Sequence, residues 1–204
     1  MNTTLAAISA EKIIAATQAW LEKAVIGLNL CPFAKAVHIK KQIRYVVSDA
    51  NTADALRAEL IRELLMLQAT DPVDIDTTLL IHPYVLGDFL DYNDFLDIVE
   101  SAIDDLALAG EIQVASFHPD YQFAGTAPDD IDNYTNRSPY PTLHLLRETS
   151  IERAVAAFPD AALIFEKNIA TMRRIGHDGW LRLGLTDETG GSLQEINLPS
   201  TTPP

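Results

Sequence analysis

The chain contains one cysteine, Cys31, in 204 residues. A lone thiol excludes an internal disulfide framework and any zinc knuckle built on Cys-x-x-Cys pairs. Basic residues are scarce as well: 15 Lys and Arg face 29 Asp and Glu, for a formal charge of −14. General binding to nucleic acid or to an anionic membrane surface requires a basic face, so neither partner is expected. No basic stretch precedes the first apolar residues, and Glu11, Lys12, Glu22 and Lys23 interrupt them. Neither a signal peptide nor a membrane span is therefore expected, and the cytoplasm is the default location. A Walker-type glycine loop, a dinucleotide fingerprint, His-Glu-x-x-His and Gly-x-Ser-x-Gly are all missing. The Asp-rich stretches at residues 88–97 and 129–132 lack calcium-loop spacing. No motif names a cofactor.

What the chain does have is an ordinary globular balance, 48% apolar and 22% charged, enough for one sizeable core. Ser9 is placed to cap a helix over residues 10–26, whose apolar residues from Ile13 to Val25 follow helical spacing until Gly27. Pro32 suits the first turn of a short second helix. Four β-branched or apolar runs read as strands: residues 43–47, 77–81, 112–117 and 142–147. Between them lie helices over residues 52–68 and 92–108, the second ended by Gly110. Two more helices follow over residues 151–158 and 161–175. This alternation predicts a single α/β domain over residues 1–190, with an about four-stranded mixed or mostly parallel sheet covered by helices. The polar segment 191–204 reads as a disordered tail.

Three groups of residues stand out. Cys31, just before Pro32, is placed to cap the short helix, where backbone N–H groups favour a thiolate. No acidic residue occurs between Glu22 and Asp49, while Lys23, Lys35, His38, Lys40, Lys41 and Arg44 do. The plainer alternative is a small buried hydrophobe. His82-Pro83 and His118-Pro119 each close a strand, and parallel strands would bring both imidazoles to one carboxyl rim, where open α/β sheets bind ligands. His82 reads as a strand end bonded to a neighbouring loop. His118, followed by the long polar loop 120–141, reads as functional. In the third group, Arg137 and Arg147 could form a fork-like anion site, with Asn136, Ser138 and His144 as neighbours in an acid-free run from Asn133 to Arg147. Prolines on both sides of Tyr140 would stiffen it, with room for a cis bond. A metal on His118, His144 and a carboxylate is not demanded by the spacing. Arg173-Arg174 reads as a favourable helix C-terminus.

Gly27-Leu28-Asn29-Leu30-Cys31-Pro32-Phe33-Ala34, Ser116-Phe117-His118-Pro119-Asp120-Tyr121-Gln122-Phe123 and Asn136-Arg137-Ser138-Pro139-Tyr140-Pro141 together resemble an uncharacterised bacterial family with a domain of unknown function. The resemblance runs from the first helix to about Gly176, and it implies no activity, cofactor or catalytic assignment. The leading expectation is a small-molecule enzyme acting on a phosphate- or carboxylate-bearing substrate. Arg137 and Arg147 would bind the anion, His118 would be the acid or base, and Cys31 the nucleophile or polariser. The alternative is a non-catalytic binding module for an anionic metabolite or a partner protein. Nothing in the sequence fixes an oligomeric state.

Overall fold

The computed structural model describes residues 9–157 and 163–185. The four strands are β1 (Ile43–Val47), β2 (Thr77–Ile81), β3 (Ile112–Phe117) and β4 (Thr142–Arg147), in the spatial order β1-β2-β4-β3. β1 and β2 pair in parallel, whereas β4 is antiparallel to both β2 and β3. The sheet is thus mixed, and β1, β2 and β3 all point the same way. Their carboxyl ends, with the start of β4, form one rim.

Side chains alternate across the sheet, so each strand contributes to two cores. Val46, Leu80, Val114, Leu143 and Leu145 face one side. There they meet Leu56, Leu60, Leu64 and Leu67 of α3 (Ala53–Ala69), and Tyr92, Phe95, Val99 and Ile103 of α4 (Phe89–Asp105). Both helices have side-chain caps. Thr52 accepts from the Ala55 N–H, and Asp88 accepts from those of Leu90 and Asp91. The opposite face carries Ile43, Tyr45, Leu79, Ile81 and Phe117, covered by Ile13 and Trp20 of α1 (Ala10–Trp20) and by the segment that follows.

That segment departs from expectation. Ser9 caps α1 as predicted, through the Lys12 N–H at 3.4 Å. From Leu21 to Ile26, however, the helix widens into a π-helix, closed by the Gly27 N–H on the Glu22 carbonyl at 2.9 Å. Gly27 keeps helical angles; it is needed because a Cβ there would lie 2.2 Å from the Lys23 carbonyl oxygen. The reversal falls to Asn29, at φ 56°. The short α2 runs Ala34–Ile39 and is capped by Phe33, two residues later than Cys31 would require. α4 starts at Phe89, a turn earlier than expected, and ends before Ala107, which takes the left-handed turn at φ 55°.

The helix after β4, α5 (Glu148–Ala157), begins directly at the strand end, three residues earlier than predicted. α6 spans Ile164–Leu181 as two helical segments joined at Gly176, whose non-helical φ of 59° ends the first segment where the sequence places the stop. Arg173 and Arg174 thus fall in the last turn of the first segment, as the sequence predicts, and a second segment continues to Leu181. Residues 161–162 of that expected helix, Phe158 and the tail 191–204 lie outside the described residues. No cis peptide bond occurs among the described residues, so the stiffness of the Pro139–Pro141 segment comes from ordinary trans prolines. Among the described residues no helix is long and apolar enough to cross a membrane.

Candidate functional site

The two His-Pro pairs do reach the same rim, because β2 and β3 run in the same direction on either side of β4. Both imidazoles are fully buried and both lie against the ring of Tyr92, with centroids 5.6 Å away for His82 and 5.1 Å for His118. His118 has no nitrogen left for chemistry. Its Nδ1 accepts the Asp120 N–H at 3.0 Å, so Nε2 carries the proton and donates to the Leu86 carbonyl at 3.2 Å. Burial pushes its pKa below the ordinary histidine value, against the pull of Asp120 and Asp88. His82 donates from Nδ1 to the Val85 carbonyl at 3.1 Å, and its Nε2 is buried without a partner. Burial holds its pKa at about 4.

Cys31 does not join them. It packs with Trp20, Ala24, Ala34 and Phe117 on the α1 side of the sheet, whereas His118 lies on the α4 side. Phe117 and His118 are consecutive, and alternation at the end of β3 sends them to opposite faces. The sheet therefore separates thiol from imidazole, and the expected three-part site of Cys31, His118 and Arg137 is not formed. The thiolate expectation is also corrected. Burial pushes the Cys31 thiol up, and the backbone hydrogen bonds from Phe33 and Ala34 only partly oppose it.

The arginine fork is likewise absent. Arg147 ends β4 opposite Ile112, the first residue of β3, whereas the Asn136 carbonyl beside Arg137 accepts the His118 N–H just past the other end of β3. The two arginines therefore belong to opposite ends of the sheet. Each is engaged with backbone. Arg147 Nη2 donates to the carbonyls of Leu67, Thr70 (2.6 Å) and Ile75 (3.2 Å), closing the C-terminal end of α3. Arg137 donates to the carbonyls of Tyr121 (3.3 Å) and Pro128 (2.6 Å), and its guanidinium lies 4.3 Å from the Tyr134 ring centre. Asn136 Nδ2 donates to the Ser116 carbonyl, and the Ser138 hydroxyl to that of Tyr140. His144 lies mid-strand. The Thr77 hydroxyl donates to the Leu145 carbonyl, so His144 Nε2–H must donate to Thr77 Oγ1, at 2.7 Å. Burial lowers its pKa to about 4.

The long loop is thus an internally bonded structure. Its hub is Asn133, fully buried, whose Oδ1 accepts from the Phe123 N–H and the Thr126 hydroxyl while Nδ2 donates to the Ala127 carbonyl. Arg173 of α6 grips the buried Asp132 with two bonds, at 3.0 and 2.6 Å. Sequence reasoning missed both residues. The only hint was Asp130, whose side chain caps the 3-10 turn Ile131–Thr135. Replacing Arg137 by Ala is expected to cost about 1–2 kcal/mol of stability, from two hydrogen bonds at a partly exposed site. Lys should restore little, because one ammonium cannot span two carbonyls as a guanidinium does. Urea unfolding checks this, and an Ala variant as stable as wild type would show the clamp to be idle.

A different place combines cations with space. An open groove of about 480 Å³ lies between the Leu28–Asn29 turn and α6, lined by Leu28, Asn29, Lys167, Asn168, Thr171 and Arg174, with Ala170 at its wall. The π-helix and Gly27 bring the turn there, and Asn168 Nδ2 ties α6 to the Leu30 carbonyl at 2.8 Å. Among the described residues no carboxylate lines the groove. Among the described residues, no group of three or more His, Cys, Asp or Glu is arranged to hold a metal ion.

These features define a mixed α/β protein with an internally bonded rim loop and a groove between the Leu28–Asn29 turn and α6. The chain belongs to the family described as "Protein of unknown function (DUF1415)", whose model matches residues 12–182. No curated protein and no solved structure matches it.

Proposed function

We propose that the protein is a binding module for a small phosphate- or carboxylate-bearing molecule, held in the groove between the Leu28–Asn29 turn and α6. The observation that carries this reading is the groove lining among the described residues: the Arg174 guanidinium beside the amide and hydroxyl side chains of Asn29, Asn168 and Thr171, in a chain of net charge −14. The rim is a poor place for an anion. From residue 63 to residue 136 the chain has no Lys or Arg and 16 carboxylic acids. An anion is repelled there and attracted to the groove. The groove volume lies within the usual range for small-molecule sites, and a guanidinium offers the bidentate geometry that phosphate and carboxylate prefer. A binding role also fits the rim chemistry better than catalysis does, since His118 has both nitrogens committed and Cys31 is held as the thiol.

Inorganic phosphate and citrate are suitable probes, followed by the amide shifts of Asn29, Asn168 and Thr171 in solution. Replacing Arg174 by Glu should weaken binding by about tenfold or more, the usual worth of a charge-assisted contact. Arg174 is exposed, so stability should change by no more than about 0.5 kcal/mol. Neither probe shifting those amides, or equal binding by the variant, overturns the reading.

A further inference from the structure

The strand-to-helix loop at residues 83–87, between β2 and α4, is fastened in an unusual way. Two consecutive carbonyls, those of Val85 and Leu86, each accept one imidazole N–H, from His82 and His118 respectively. Leu86 has φ 57°, a left-handed angle that a branched side chain adopts only under constraint. Val85 and Leu86 pack with Phe89 and Tyr92 at the edge of the core formed with α3 and α4, and the two histidines, from different strands, are the loop's fasteners. We propose that this loop is a proton-released strap, closed while His82 and His118 are both neutral and opened when they take up protons.

The hydrogen bonds set the direction. A proton arriving at His118 Nδ1 removes the acceptor of the Asp120 N–H and turns that contact into two opposed donors. A proton arriving at His82 Nε2 creates a charge on a fully buried atom with no acceptor. The second cation would then stand against the same Tyr92 ring as the first. The groups facing the pair are few. Asp120, on the loop after β3, and Asp88, at the start of α4, attract a proton to His118, while Tyr92 of α4 stays neutral because burial raises its pKa. His82 is faced by His118 and Tyr92, and His118 disfavours its charge. The bonds to the Val85 and Leu86 carbonyls persist in the protonated rings and favour their charge, but burial outweighs them. A charged ring gains water when the loop lifts, and lifting relieves the left-handed turn at Leu86. The opened strap uncovers the Phe89 and Tyr92 rings.

Amide hydrogen exchange on the full chain at pH 7.0, 5.5 and 4.5, corrected for the intrinsic pH dependence of exchange, tests this. Protection of the Asp120 amide and of residues 83–91 is expected to fall about tenfold or more on acidification, while the Leu60 and Leu64 amides of α3 keep theirs. His82→Asn keeps a donor near the Nδ1 position and His118→Gln keeps one near Nε2, and neither replacement titrates. The double variant should lose the acid response of residues 83–91. Loop and α3 losing protection together, an unchanged Asp120 amide, or a double variant that still opens in acid would each overturn the proposal. The wild-type measurement decides by itself if the double variant does not fold.

Discussion

Truncating Tyr92 to Ala is expected to cost about 4–5 kcal/mol, the upper range for removing a buried aromatic ring. A domain of ordinary stability has about 5–15 kcal/mol in total, so much of the population could unfold. The size of the effect comes from position. The side chain is fully buried on α4, and its ring meets His82, His118 and Phe89 at centroid distances of 5.6, 5.1 and 6.4 Å. Its hydroxyl donates to the Thr142 carbonyl at 3.0 Å and accepts the Phe117 N–H at 3.1 Å. One oxygen thereby joins the start of β4 to the end of β3. Tyr92→Phe separates the two contributions, because it keeps the ring and strands a backbone N–H and a carbonyl. That change should cost about 1–3 kcal/mol. Urea unfolding of the three proteins, with the slope checked for a common unfolded state, measures both effects. A Phe variant as stable as wild type would mean that the hydroxyl does not hold the rim.

The strands were legible because each is a short run of β-branched or apolar residues between turn signals, and all four fall where those runs predict. Their order was not. Nothing local to Thr142–Arg147 says that a strand arriving after the long loop inserts between β2 and β3 in the opposite sense. The expected site failed for a related reason. Cys31 and His118 are compatible in chemistry and even close to one strand end, but the parity of Phe117 and His118 puts the sheet between them. The arginines failed differently. A guanidinium that closes a helix end through backbone carbonyls, as Arg147 does, needs no particular partner residue and so leaves no sequence mark. The groove had half a mark. The acid-poor island after Glu22 was visible, but Asn29 and Arg174 are distant in sequence. The Arg173-Arg174 doublet does end a helical segment at Gly176, but nothing local says that a second segment follows to Leu181.

Acid should weaken the fold through its buried histidines, and the sign follows from their depressed pKa values. His82 and His144 both titrate at about 4 in the folded protein, below the ordinary histidine value of about 6.5. Above about pH 6.5 each is neutral whether the chain is folded or not, and the stability is fully present. Between about pH 6.5 and 4 the unfolded chain binds the proton and the folded one does not, so stability falls as pH falls. Below about pH 4 both states are protonated and these groups cause no further loss. Fully buried His82 would contribute a loss of about 3 kcal/mol. An opened strap caps that loss, because it lets the ring reach water while the rest of the fold stands. His144 has no such exit. It sits mid-strand between β2 and β3, paired with Leu79 and Ala115, and its charge must be borne within the sheet. Its half-buried side chain brings the expected loss down to about 2 kcal/mol. His144→Gln isolates this, since the amide can still donate to Thr77 Oγ1 without titrating. At pH 7 the variant should lie within about 1 kcal/mol of wild type. Protonation of the carboxylates relaxes self-repulsion equally in both proteins, so the difference between them is the clean quantity. Urea unfolding from pH 7 to pH 4 should show wild type losing about 2 kcal/mol more than the variant. Parallel losses in the two proteins would mean that His144 takes up its proton without disturbing the sheet.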